Sequence, residues 1–123
     1  MRVSYAIVFV SDMSRSVSFY RDLIGLPLRF ESPGWSEFAT DGATFALHAG
    51  GAPHADVSDS TIHSAGTCRP GLSVPNLEEF HQMMIAKGVR CFQQPKQTFG
   101  AWIAQYVDPD GLVISVSEAR NDN

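Results

Sequence analysis

The sequence predicts an α+β fold made of two tandem βαβββ modules. An apolar-periodic stretch opened by Val10-Ser11-Asp12-Met13 and stopped by Gly25 returns as one opened by Val74-Pro75-Asn76-Leu77 and stopped by Gly88. Trp35 stands six residues before Asp41, and Trp102 stands six before Asp108. Each of those aspartates opens a turn that reaches a glycine, Gly42 or Gly111, and then a β-rich run. A repeat of this length means two copies of one supersecondary unit, with positions that are pairwise equivalent.

Taken in order, Val3–Val10 (VSYAIVFV) is β-rich and suits a buried strand. Asp12 is placed to cap a helix whose inward stripe is Met13, Val17, Tyr20, Leu23 and Ile24. Gly25 supplies its left-handed stop, and Pro27 forbids continuation. Short strands are expected near Leu28–Glu31, Trp35–Thr40 and Ala43–His48, the last two joined through Asp41-Gly42, a hairpin signal. Residues 50–66 are rich in Gly, Ala, Ser, Asp and His without periodicity, and read as a linker. The second module starts with a strand over Thr67–Val74. Asn76 with Glu79 forms a capping-box pattern, and Leu77, Phe80, Met84 and Ile85 form the helix stripe. Met13, Met83 and Met84, at helical spacing, read as core filler. Strands near Val89–Phe92, Ala101–Val107 and Leu112–Ser117 complete the unit, with Tyr106 in the core and a polar tail from Ala119. The chain is thus one domain over 1–123, of modules 1–49 and 67–119 joined by the linker.

Its 123 residues suffice for one compact core. The formal charge is -4, from 9 basic and 13 acidic residues, and the basic ones are scattered, which argues against nucleic acid as a partner. No apolar run reaches bilayer length, and the first residues alternate like a strand instead of forming a signal peptide, so no membrane partner is expected. Cys68 and Cys91 lack CxxC spacing and read as reduced thiols of a cytoplasmic protein. There is no nucleophile–base–orienter set and no glycine loop preceding a helix for phosphate.

Strand alternation assigns faces. Phe45 and Leu47 point to the helix layer, and Thr44, Ala46 and His48 away from it. Leu112, Ile114 and Val116 point to the helix, and Val113, Ser115 and Ser117 away. Leu72 and Val74 take the helix side and leave Arg69, Gly71 and Ser73 opposite, with Arg69 equivalent to Tyr5 and Ser115 to Ala46. The far face therefore carries Tyr5, His48, Arg69, Ser73, Ser115 and Ser117. That is too polar for a second core; it suits a ligand cleft or a solvated sheet face.

The opening YAIVFVSDMSRSVSFYRDLIGLPL, with its FY-x-x-x-x-G ending, and the close YVDPDGLVISVSE, with its DPxG turn, resemble the vicinal oxygen chelate superfamily. That superfamily includes glyoxalase I, extradiol dioxygenases, fosfomycin-modifying enzymes and bleomycin-binding resistance proteins, and the resemblance covers nearly the whole chain. It implies a curved mixed sheet around a ligand cleft, the glyoxalase-like fold. It also implies a divalent metal held by His or Glu at one position on each of four equivalent strands, acting as a Lewis acid on vicinal oxygens. By motif those positions are Tyr5, Ala46, Arg69 and Ser115 here. Alanine has no donor atom, a neutral serine is a poor ligand, arginine has no lone pair to give, and tyrosine ligates only as phenolate. A divalent ion about 4 Å from one guanidinium would feel about 8 kcal/mol of repulsion at an effective dielectric near 20. Neither a metal nor any other cofactor is therefore expected. His48, two residues after Ala46, is the one candidate for a displaced ligand. His54, Asp56, Asp59 and His63 form a second cluster, whose spacing suits a solvated loop better than a metal site.

The expected function is that of a small-molecule-binding member of the superfamily without its metal ligands, a resistance or carrier protein, and a homodimer as the resemblance implies. The ligand-binding residues would be Tyr5, His48, Arg69, Ser115 and Ser117. Trp35 and Trp102, at the start of equivalent strands, either stack on a flat ligand at the cleft mouth or pack. Arg69 would pair with a ligand anion or with a glutamate such as Glu31 or Glu37. The alternative is a glyoxalase-type lyase, isomerase or dioxygenase with an altered metal set using His48, or with metal-free acid–base chemistry through Tyr5 and His48.

Overall fold

A computed structural model describes residues 1–51 and 65–119, which form two compact units, one on either side of residue 54. The His54, Asp56, Asp59 and His63 cluster lies outside the described residues.

In unit 1, strand β1 (Tyr5–Val10) leads into helix α1 (Met13–Ser18), which continues as a wider π-helical segment over Phe19–Ile24. The Asp12 side chain accepts from the Arg15 amide at 3.1 Å, the expected N-cap. Gly25 ends the helix at φ 97°, a conformation a side chain would strain. The π segment departs from the uniform helix that the periodicity predicts. Phe19, Tyr20 and Ile24 are all buried, and a wider turn brings residues five apart onto one side. Both the Gly25 and the Leu26 amides accordingly donate to the Tyr20 carbonyl, at 3.1 and 2.9 Å. Strands β2 (Leu28–Phe30), β3 (Trp35–Phe38) and β4 (Thr44–Ala49) follow, and the sheet order is β1-β4-β3-β2, with β1 parallel to β4. The core lies between this sheet and the helix. Tyr20 is fully buried against Phe45 at 4.9 Å between ring centroids, with Phe38, Leu47, Val10 and Val17 around them.

Unit 2 repeats the order. It consists of β5 (Gly71–Val74), α2 (Leu77–Ala86), β6 (Cys91–Thr98), β7 (Ala101–Val107) and β8 (Val113–Glu118). Its sheet order is β5-β8-β7-β6, with β5 parallel to β8. The Asn76 side chain accepts from the Glu79 amide at 3.0 Å. Leu77, Phe80, Met84, Val89, Ala104, Tyr106, Ile114 and Val116 are buried as the core. Two residues expected to be inward depart from expectation, Met83 read as core filler and Ile85 of the stripe. Met83 and Ile85 flank the inward Met84 and are 45% and 51% exposed, because only one of three consecutive helical positions can face the sheet squarely. Strand β6 runs well past the expected Phe92, with register shifts between Cys91 and Lys96. Cys68 and Cys91 are both free thiols, and burial pushes the Cys91 thiol up from its ordinary value. Among the described residues no helix is long and apolar enough to cross a membrane.

Candidate functional site

Each unit has one sheet face that no helix of that unit covers. In unit 1, β1 alternates strictly: Val8 and Val10 are buried on the helix side, and Tyr5, Ile7 and Phe9 are 50%, 46% and 66% exposed on the other. The register sets Tyr5 beside Thr44, Ile7 beside Ala46 and Phe9 beside His48. It also sets Trp35 beside His48 and Glu37 beside Ala46. Arg29 of β2 donates to the Thr44 hydroxyl at 3.3 Å, which places its guanidinium on this face.

The aromatic groups meet. Phe9 and His48 lie 5.3 Å apart between centroids, Trp35 and His48 6.1 Å, and Tyr5 and Trp35 6.1 Å, the last two edge to face. By register Tyr5 and Trp35 belong to opposite ends of the face, with Ala46 between them. Their rings reach toward each other across the middle, and Ala46 is fully buried although it lies on the open face. The His48 Nδ1 lies 2.8 Å from the Ala49 carbonyl. A carbonyl only accepts, so Nδ1 carries the hydrogen and the neutral imidazole presents the Nε2 lone pair.

In unit 2 the corresponding face carries hydroxyls and amides. Gly71 pairs with Ser115 and Ser73 with Ser117. Gln105 lies beside Ser115 and Ile103 beside Ser117. The groups bond among themselves: Gln105 Nε2 donates to Ser115 Oγ at 3.4 Å, Ser73 Oγ and Ser117 Oγ lie 3.4 Å apart, and Gln93 Nε2 donates to the Ile103 carbonyl at 3.3 Å. Arg69 stands half-buried just ahead of β5, engaged in an interaction of its own.

Of the residues expected at a ligand site, Tyr5, Trp35 and His48 share one face of unit 1, and Ser115 and Ser117 share one face of unit 2. Trp102 does not join them. It alternates with Ile103 and Gln105 and therefore lies with Ala104 and Tyr106 on the α2 side. Its supposed equivalence to Trp35 is one residue out of register. Phe38 pairs with Phe45 across six intervening residues, 39–44, whereas Tyr106 pairs with Ile114 across seven, 107–113. Phe38 therefore corresponds to Tyr106 and Trp35 to Ile103, and a one-residue slip exchanges the faces of a strand. The aspartates are not equivalent either. Thr40 holds the first turn, its hydroxyl donating to the Ala43 carbonyl and accepting from the Gly42 amide at 3.0 Å. Asp108 holds the second, its Oδ1 accepting from the Asp110 and Leu112 amides, both at 2.9 Å.

Sequence reasoning did not single out Ile7, Phe9, Arg29, Gln93 or Gln105, and it named Glu37 only as a possible partner of Arg69. For Ile7 and Phe9 the signal was present, because Tyr5, Ile7 and Phe9 alternate within VSYAIVFV. The continuous apolar run masked it, since such a run reads as buried on both faces.

The four positions that the resemblance assigns to metal ligands do not form a donor set. Ala46 is a fully buried methyl, and Arg69 is a fixed cation. Ser115 is already hydrogen-bonded to Gln105, which leaves the Tyr5 phenol. Among the described residues no three His, Cys, Asp or Glu side chains come together as metal ligands would.

The family model described as Glyoxalase/Bleomycin resistance protein/Dioxygenase superfamily matches residues 2–116. No curated protein sequence matches the chain. Among solved structures, TnmS3, an antibiotic binding protein from Streptomyces sp. CB03234, is similar at 26% identity and TM-score 0.71, covering 98% of this chain and 97% of its own. A protein of unknown function from Agrobacterium tumefaciens str. C58 is similar at 25% identity and TM-score 0.74, covering 98% and 95%. A lactoylglutathione lyase from Agrobacterium tumefaciens shares the fold at 15% identity and TM-score 0.70, covering 95% and 92%.

Proposed function

Because the chain belongs to the Glyoxalase/Bleomycin resistance protein/Dioxygenase superfamily, in which one fold hosts both catalysts and binders, we propose that it is a binder. It holds a flat organic molecule without a metal and acts by sequestration or carriage. The observation that carries this reading is the exposed aromatic face of unit 1, formed by Tyr5, Phe9, Trp35 and His48 with Ile7. Half-exposed rings already arranged edge to face supply apolar contact at low ordering cost, and His48 Nε2 adds one directional acceptor. The similarity to an antibiotic binding protein at 26% identity supports the same reading. The donor chemistry supports it further: a methyl at position 46 and a guanidinium at position 69 disfavour a divalent ion and suit an organic guest.

A thermal-shift screen of fused-ring aromatic antibiotics, run with and without Ni, Mn, Fe and Zn, tests the proposal. A true ligand stabilises by RT ln(1 + [L]/Kd), so about 100-fold excess over Kd contributes about 2.7 kcal/mol. Stabilisation is expected to be independent of metal, to be lost in Trp35→Ala and to persist in Trp102→Ala. Metal-dependent stabilisation accompanied by turnover of a hemithioacetal or a catechol would make the protein an enzyme of the glyoxalase or dioxygenase type instead.

A further inference from the structure

The helix side of unit 2 carries a second recess, a groove of about 710 Å³ beside α2. Glu78, His81 and Ile85 of α2, Pro95 of β6, Trp102 of β7 and Glu118 of β8 line it. Its contents are unusual for the side of a sheet that a helix covers. Trp102 is 49% exposed there and Ile85 51%, so an aromatic plane and an aliphatic side chain stand open to a guest. Among the described residues the two carboxylates are each used on one oxygen only. Glu118 Oε1 accepts from the Leu77 amide at 3.2 Å, and Glu78 Oε1 accepts from Gln82 Nε2 at 2.9 Å. Among the described residues no lysine or arginine lines the groove, so its two carboxylates favour a cation.

His81 gives the groove a direction. The residue is 8% exposed, and its Nδ1 lies 2.8 Å from the hydroxyl of the fully buried Tyr106. Burial holds that phenol protonated far above its ordinary range, with the charges of Cys91 and Glu78 adding to the effect. Among the described residues the hydroxyl has no hydrogen-bond partner besides His81, so its proton goes to Nδ1. A neutral imidazole that accepts at Nδ1 carries its own hydrogen on Nε2. No described residue accepts from that N–H, which opens onto the groove that His81 lines and is there for a guest to use.

We propose that this groove is a second ligand site, distinct from the aromatic face of unit 1, and that it takes a small aromatic amine. The ring lies against Trp102 and Ile85, the ammonium faces the open oxygens of Glu78 and Glu118, and an oxygen of the ligand accepts from His81 Nε2–H. Apolar walls with a few convergent polar groups are the ordinary composition of such a site, and an aromatic wall between carboxylates favours a cation over an anion.

Tyramine is a suitable probe, with 4-hydroxyphenylpropionate as its anionic counterpart. Titrated into the isotopically labelled full chain, tyramine is expected to shift the Trp102 indole N–H and the His81 ring nitrogens saturably and to leave the Trp35 indole N–H unmoved. The carboxylate is expected not to bind. Glu78 is exposed, so Glu78→Gln folds, and it is expected to weaken tyramine by about tenfold, the scale of one charged hydrogen bond. No saturable shift, equal binding of the carboxylate, or an unchanged affinity in Glu78→Gln overturns the proposal. Shifts confined to Trp35 overturn it as well and assign the amine to the face discussed under the proposed function, so the two readings fail separately.

Discussion

Unit 1 turns an aromatic face away from its helix, and unit 2 turns a polar one. Tyr5, Phe9, Trp35 and His48 of the first answer to Arg69, Ser73, Ile103 and Ser117 of the second, by register and by the sequence repeat. Behind these faces the two units agree. Phe38 and Phe45 correspond to Tyr106 and Ile114, all buried beneath a capped helix that stops at a left-handed glycine. The difference teaches where the fold is specified. The helix-side face must remain apolar in both copies, because burying it provides most of the folding free energy. The other face is released from that demand, so one copy carries rings there and the other hydroxyls and amides.

The largest expected effect tests the shared part. Phe38→Ala removes a fully buried ring and is expected to cost about 3–5 kcal/mol in urea denaturation. A loss under about 1 kcal/mol, the range of surface changes, would mean that unit 1 does not rely on this core.

The turns separate the units next. Asp108→Ala deprives two backbone amides of their acceptor and is expected to cost about 2–3 kcal/mol. Thr40→Ala should cost about 1 kcal/mol for its neutral bonds, and Asp41→Ala, on the exposed tip, less than about 0.5 kcal/mol. Equal costs at Asp41 and Asp108 would restore the equivalence that the register denies.

A third comparison sets Tyr106 against its counterpart Phe38. Tyr106→Phe leaves His81 without its partner and is expected to cost about 1–2 kcal/mol near neutral pH. The sign with pH follows from the raised Tyr106 pKa. Below the ordinary value of 10.0 both the folded and unfolded phenols are protonated, and the stabilisation is complete. Above that value the unfolded chain loses the proton and the folded one keeps it, so stability falls as pH rises. Urea midpoints measured from about pH 8 to about pH 11 should decline for the native sequence and decline less for Tyr106→Phe. A residual slope beginning near the ordinary cysteine value of 9.0 belongs to Cys91, whose pKa is raised in the same direction. An identical alkaline decline in the variant would contradict the burial of the phenol.

The smallest effect is a gain. Among the described residues Ser16 Oγ of α1 is fully buried without a hydrogen-bond partner. Ser16→Ala is expected to raise stability by up to about 1 kcal/mol, and a loss of that size would show that the hydroxyl is satisfied.

Much of the fold was legible because local chemistry writes it directly. Asp12 and Asn76 announce helix starts, Gly25 and Gly88 announce stops, and the runs after Gly42 and Gly111 read as strands whose inward and outward residues alternate as built. The π segment at Phe19–Ile24 escaped, because it answers to the sheet it packs on and has no residue signature of its own. The sheet faces on which Tyr5, His48, Ser115 and Ser117 lie were legible from parity. Trp102 was misread because matching markers, tryptophan and aspartate six residues apart, outweighed a one-residue difference in loop length.

By itself, then, the sequence determined the repeated βαβββ order, the caps, the helix-side core and the family, all of which rest on spacing and periodicity along the chain. Tertiary structure alone decided which tryptophan shares a face with His48, why Ala46 is buried on an open face, and that His81 meets the Tyr106 hydroxyl. Those outcomes depend on strand register and on ring positions across strands. Register is a property of pairing between distant segments, and one residue more or less in a turn reverses it.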